Sequence, residues 1–283
     1  MKELDDFINR VKHLPPAPKI LPQLLELLNK EDVDTSEVVE LMVYDPSLTA
    51  AALQLCNSAC FYGSSPATDL EEAVSRLGFK QVYELVATVS GSRMISAGKS
   101  PFAIDAGELW QHSVTSAFAA QLIAKDLGDP EQSLVFTSAL LHDLGKVVLS
   151  EALEHIYAKM IEDVTTQQCS LVETEKRLLG VHHGEIGGRL LARWNFPADI
   201  VAAVWFHHHP GAAGPHQRLA SYVYLGNMIS YFIGYGFAEH AFALGGRSEA
   251  LEILGLRADA MPRYMIQTYE NFEAVNALLA ARA

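Results

Sequence analysis

Cysteine is scarce in this chain: Cys56, Cys60 and Cys169 are the three among 283 residues. An odd, widely spaced set offers no disulfide framework and no paired zinc-thiolate pattern. Cys56 and Cys60 lie four apart on one face of an expected helix. They read as small buried side chains, since free cysteine is commonly buried; a metal role is the alternative. Cations are also few. Lys and Arg total 21 against 34 Asp and Glu, a net charge of −13, and the basic residues are scattered singly. That leaves no local basic patch, which argues against non-specific nucleic-acid or anionic-membrane binding. No convincing strand pattern and no internal repeat is present. The most apolar long stretch, 222–245, is interrupted by Asn227, Glu239, His240 and four glycines and lacks basic flanks. A core helix and a turn are expected there rather than a membrane span. The opening MKELDDFINR is polar and acidic. With the sparse cysteines it leads to the expectation of a reducing cytoplasm.

What is present is a helical pattern. Apolar residues make up 49% and charged residues 19%, a globular composition with enough length for a substantial core. Leu21, Leu24, Leu25 and Leu28 form one stripe. Asp34 and Glu37 form a capping pair ahead of Val38, Val39, Leu41 and Met42. Asp45-Pro46 ends that helix and starts the next. Asp69 and Glu72 repeat the capping pattern before a stop at Gly78. A helix over 82–89 and a loop over 90–102 follow. Further helices are expected at about 106–126, 132–149, 151–166, 170–179, 183–193, 197–208, 216–233 and 259–282, with breaks at 127–130 and 210–215. The fold class is all-α, a multi-helix bundle. Its N-terminal helical part spans 1–97 and its C-terminal helical part spans 98–283.

The polar residues of the stretch SALLHDLGKVVL, 138–149, stand among leucines and valines. Buried charge is costly unless compensated, so His142, Asp143 and Lys146 call for a partner. The chain has 11 histidines. His112 follows an apolar pair, His182 and His183 are adjacent, and His207, His208 and His209 are consecutive. Each group has apolar neighbours, so helix packing would gather the polar residues inside a bundle, where helical proteins commonly build metal sites. Neutral imidazoles and a carboxylate suit Zn, Fe, Mn and related ions. Individual capping or surface roles for each histidine are the alternative.

His112 followed by the HD pair in LLHDLGK resembles the HD superfamily of metal-dependent phosphohydrolases. The segment LPPAPKILPQLLELLNKEDVDTSEVVELMVYDPSLTAAALQLCNSACFYG resembles the opening of the HDOD domain. EEAVSRLGFKQVYELV and HHGEIGGRLLARWNFPADIVAAVWFHHHP match later segments of that family. The resemblance runs over about residues 7–278. HDOD domains are similar to HD-GYP phosphodiesterases, which hydrolyse cyclic di-GMP at a multi-metal site, and many HDOD domains are signalling relatives that have lost the ligands.

The resemblance implies a first metal position at His112, His142 and Asp143. It implies a second at Asp143, His183, His207 and His208, with His182 flanking. Asp143 and Lys146 carry over as catalytic, Lys146 through phosphate binding. The cofactor implied is a divalent transition metal, one or two ions of Fe, Mn, Zn or Ni. Two departures stand out. Asn227 takes the place of the superfamily's last aspartate ligand, and one missing charge pair at about 4 Å in an effective dielectric of 20 is worth roughly 4 kcal/mol. HPGAAGPHQ replaces the GYP loop, so cyclic di-GMP hydrolysis is not expected. The leading expectation is a bacterial signal-transduction module that acts on an unidentified protein partner. The alternative is a phosphohydrolase, a phosphodiesterase or nucleotide phosphatase acting on a phosphate-containing small molecule. There divalent cations would activate water for attack on phosphorus. A helix-turn-helix reading of EEAVSRLGFKQVYELVA is disfavoured, because Arg76 and Lys80 are its only cations.

Overall fold

The computed structural model describes residues 27, 35–57, 65–78, 81–82, 106–167, 170–236 and 247–281. Those residues are helical with no strand among them, as the sequence pattern implies. The elements are α1 (Thr35–Met42), α2 (Pro46–Cys56), α3 (Leu70–Leu77), α4 (Ala106–Asp126), α5 (Gln132–Leu141), α6 (Leu144–Ala152), α7 (Glu154–Gln167), α8 (Leu171–Leu179), α9 (His183–Arg193), α10 (Ala198–Trp205), a 3-10 turn (Pro210–His216), α11 (Gln217–Phe232), α12 (Arg247–Leu254) and α13 (Met261–Ala281). Cys60, Cys169, the stripe of Leu21, Leu24, Leu25 and Leu28, Asp34, most of 82–89, the 90–102 loop and the domain boundary near 97 lie outside the described residues.

Local chemistry sets the N-terminal helices. The Asp45 carboxylate accepts from the amides of Ser47 and Leu48, and Pro46 occupies the first turn of α2. Asp69 accepts from Glu72 N at 2.8 Å, and Glu72 in turn accepts from Thr68 N at 3.0 Å. This is a capping box shifted back by one residue at its return bond. Leu70, Ala73, Val74 and Leu77 then bury one face of α3. Cys56 is buried at the end of α2. These helices rest on the C-terminal bundle. The Trp110 indole donates to Tyr44 O at 2.6 Å, and Tyr44 packs on Phe118 with centroids 6.0 Å apart.

The centre of the bundle is α4, packed between α11, α5 and α13. Close approach to α11 depends on Gly226: a Cβ there would stand 2.4 Å from Ser116 O. Buried residues run continuously from Leu134 to Leu141 in α5 and from Leu219 to Tyr231 in α11. A helix apolar on all sides belongs in a core. Gln132–Ala152 is long and apolar enough to cross a membrane, but 89% of its apolar window is buried within the protein. The stretch 222–245 is a core helix only to Phe232, and 237–245 lies outside the described residues.

One expected helix is interrupted. The apolar run 132–149 does not form one rod: α5 stops at Leu141, His142 and Asp143 form a turn, and α6 starts at Leu144. No side chain caps α6. The turn directs two polar side chains inward from a segment whose every neighbour favours burial. The helix α12 was not anticipated from its pattern, and the 3-10 turn occupies the stretch expected as a break.

Candidate metal centre

Four helical segments meet at Asp143. The carboxylate comes from the α5–α6 turn, His112 from α4, His183 from the first turn of α9, and His207 and His208 from the turn after α10. The approach of α6 to α9 is as close as backbone permits. A Cβ on Gly145 would lie 1.9 Å from His183 O and 2.8 Å from Gly187 N. Two residues after Asp143, glycine is what lets this turn reach His183.

The two carboxylate oxygens face different imidazoles. Oδ2 lies 3.5 Å from His112 Nε2 and 3.4 Å from His142 Nε2. Oδ1 lies 3.4 Å from His183 Nε2 and 3.9 Å from His207 Nε2. His208 Nε2 is 2.8 Å from His183 Nε2. The ligand-type atoms of His112, His142 and Asp143 lie within 4.8 Å of one another, and so do those of His183, His207 and His208. His208 is partly exposed and His209 exposed; the other histidines of the cluster and Asp143 are buried.

The tautomers follow from what stands behind each ring. A carbonyl oxygen only accepts, so the nitrogen facing it carries hydrogen. His142 Nδ1 donates to Ala139 O at 2.6 Å, His207 Nδ1 to Val204 O at 2.7 Å, and His112 Nδ1 to Tyr235 O at 3.1 Å, with Ser230 Oγ at 3.0 Å beside it. His183 Nδ1 lies 2.7 Å from Glu175 Oε2. In each case the Nε2 lone pair points toward Asp143. Buried His112 Nε2, His142 Nε2, His207 Nε2 and Asp143 Oδ1 have no hydrogen-bond partner. Buried polar atoms are nearly always satisfied, and four convergent unsatisfied acceptors match the donor set of a divalent cation whose histidines are each held from behind. The residues present therefore fit a metal. They contribute nitrogen and oxygen but no thiolate, which suits the borderline divalent ions.

Electrostatics prepares the same atoms. Burial lowers the His112 imidazole to about 3, with Asp143 opposing the shift. Burial also lowers His142 and, strongly, His207. These rings are neutral and free to coordinate near neutral pH. Burial by itself would raise Asp143, but His142, Lys146, His183 and His112 together hold its carboxyl well below the usual range. Lys146 is buried. Burial would lower its ammonium, yet Asp143 and Tyr231 outweigh that and raise it. Its Nζ donates to Asp143 Oδ2 at 2.6 Å and to Tyr231 OH at 3.3 Å.

The structure thus brings His112, His142, Asp143, Lys146, His183, His207 and His208 together. His182 stands aside, and its Nδ1 accepts from Gly184 N as the cap of α9. Asn227 is buried on α11 one turn before Tyr231, and its Oδ1 has no partner. Tyr231, one turn further along α11, is likewise buried. Its ring lies 4.4 Å from that of His112, so it also backs the cluster. Glu175, Tyr157 and Ser230 were not singled out. The carbonyl anchors have no side-chain signal, but Glu175 is an acid at an otherwise buried helical position, and that could have flagged it.

Comparison with known proteins bears on this centre. The model of the HDOD domain family matches residues 14–210, shorter than the span of 7–278 suggested by the motifs. An uncharacterised protein of Treponema pallidum (strain Nichols) is 29% identical over 229 residues, covering 80% of this chain and 44% of that protein. The 3′3′-cGAMP-specific phosphodiesterase 3 of Vibrio cholerae is 26% identical over 197 residues, covering 60% of this chain and 41% of the enzyme. This chain therefore spans less than half the length of both relatives. The crystal structure of the MmoQ response regulator of Methylococcus capsulatus superposes with a TM-score of 0.69 at 24% identity, covering 90% of this chain and 98% of that one, which shows the same fold.

Proposed function

Because the chain belongs to the HDOD domain family, we propose that it is a signal-transduction module whose interior histidine–aspartate cluster holds one or two divalent transition-metal ions, and that it acts by contacting a protein partner. The observation that carries this reading is the convergence of unpartnered His112, His142 and His207 Nε2 atoms on Asp143. A bound divalent cation would supply Lewis acidity and would tie four helical segments together. His112, His142 and Asp143 Oδ2 would hold one ion; His183, His207, His208 and Asp143 Oδ1 would hold the other. A regulatory role is favoured because the cluster is buried except at His208. Lys146, the residue that would meet a phosphate, is committed to Asp143 and Tyr231. A cytoplasmic site of action accompanies this proposal.

Phosphohydrolase action is the second reading. The pairing of a carboxylate with a buried lysine beside five histidines favours it, as does the resemblance to a relative that is itself a phosphodiesterase. Lys146 would stabilise negative charge on phosphoryl oxygens once released from Asp143. Elemental analysis of the purified protein, paired with a screen of phosphomonoesters, nucleotides and cyclic dinucleotides with added Mn or Fe, separates the two. The regulatory reading expects bound metal and no turnover. Turnover abolished by His142→Ala would replace it with the enzymatic one, and absence of any bound metal would sink both.

A further inference from the structure

The rings of the cluster are anchored in two ways. His142, His207 and His112 lean on main-chain carbonyls. His183 leans on a side chain. Glu175, in α8, is fully buried, and its Oε2 accepts from both His183 Nδ1 at 2.7 Å and His183 N at 2.9 Å. Its Oε1 accepts from Tyr157 OH at 2.9 Å. One carboxylate thus holds the ring and the backbone of His183 at once, and α7 holds the carboxylate.

We infer that Glu175 is a positioning residue that makes the two metal positions unequal, strengthening the one built on His183, His207 and His208. The inference rests on the metal reading above. A carboxylate hydrogen-bonded to Nδ1–H raises the donor strength of Nε2 on the same ring, more than a neutral carbonyl does. It also fixes the tautomer, because an acceptor-only group at Nδ1 leaves the lone pair on Nε2. Behind His112, His142 and His207 the acceptor is a main-chain carbonyl, which sets the same tautomer without a negative charge. The His183 position should bind its ion more tightly and fill first.

Glu175→Gln tests this with the full chain. The amide oxygen can still accept from His183, and the amide nitrogen can donate to Tyr157 OH, so the fold should survive while the negative charge is lost. Tyr157→Phe is the control that removes the Tyr157 bond and leaves the His183 bonds. Titration with Co²⁺ or Mn²⁺, followed by calorimetry and Co²⁺ absorption, should show two classes of ion in the native protein. In Glu175→Gln the tighter class should weaken 10–100-fold, with the other unchanged; Tyr157→Phe should retain both classes. Unaltered binding in Glu175→Gln, or equal weakening of both classes, overturns the inference. A second measurement needs no metal. In ¹⁵N-histidine spectra of the metal-free protein, His183 should be the Nδ1–H tautomer, and Glu175→Leu, which leaves no acceptor at that nitrogen, should mix its tautomers. A native protein that binds no ion but shows this shift defeats the metal reading while Glu175 keeps its hold on His183. An unshifted tautomer defeats the inference itself.

Discussion

Asp143 Oδ1 stands 3.4 Å from His183 Nε2, and that oxygen has no hydrogen-bond partner although it is buried. The other oxygen of the same carboxylate is held by Lys146 at 2.6 Å. One side of Asp143 is neutralised from within the chain and the other is left for something else.

The Asp143–Lys146 pair should show strong coupling. Asp143→Asn leaves a buried ammonium without its counterion, which costs about 3–5 kcal/mol. Adding Lys146→Met removes the stranded charge, and the double variant should recover a large part of that loss in urea unfolding of the metal-free protein. Strict additivity of the two single effects would show that the pair contributes no mutual stabilisation.

Gly145→Ala should separate α6 from α9. The added methyl would meet His183 O at 1.9 Å, so backbone must move. Overpacking of this kind typically costs about 1–3 kcal/mol. The displacement acts on the Asp143–His183 separation, so metal content should fall even where the variant remains folded at low temperature. Native metal content and native melting temperature together would rule out this account of the close approach.

Acid should destabilise the metal-free protein well before ordinary carboxylates titrate. His112 is lowered from 6.5 to about 3, and His142 and His207 are also lowered. Between the unfolded and folded values the unfolded chain binds protons that the folded chain refuses. Stability is therefore full above about pH 6.5 and declines as pH falls toward the folded values. The His112 ring alone costs about 2 kcal/mol by pH 5, and His142 and His207 add to it in the same direction. Melting temperatures in chelator from pH 8 to 5 should fall by several degrees, and saturating metal should flatten the upper part of that decline. A flat profile in chelator would contradict burial of neutral imidazoles.

Asn227→Asp supplies the carboxylate that the resemblance to the HD superfamily implies at this position. Asn227 Oδ1 is buried and unsatisfied, one turn from the tyrosine packed against His112. The variant should bind Mn²⁺ about tenfold or more tightly, a gain of at least ~1.4 kcal/mol. It should also lower the stability of the metal-free protein by burying a further charge. Competition against a fluorescent chelator reads the first effect, and unchanged affinity would show that position 227 does not serve the ion.

Much of this was legible in advance because helical signals are local. The Asp45-Pro46 and Asp69–Glu72 caps appear where their chemistry required, and long apolar segments such as α4 and α11 begin and end within a residue or two of their patterns. The break at His142–Asp143 was hidden because Leu140, Leu141, Leu144 and Val148 keep helical spacing across it. The helix α12 is eight residues long, and no capping pair of the Asp69–Glu72 kind marks its start. Of the cluster, the histidines could be read from their apolar neighbours. Their anchors could not: Ala139, Val204 and Tyr235 act through main-chain oxygens, which leave no trace in residue type.

That last property sets how the centre tolerates genetic change. An orienting group made of peptide carbonyl survives any replacement of the residue that bears it, provided the helix keeps its course. Alanine, valine and tyrosine at positions 139, 204 and 235 can drift without releasing the rings they steer. Position 175 has no such insurance: a single codon change there unhooks His183, so damaging variants of the ring supports should concentrate at that one residue.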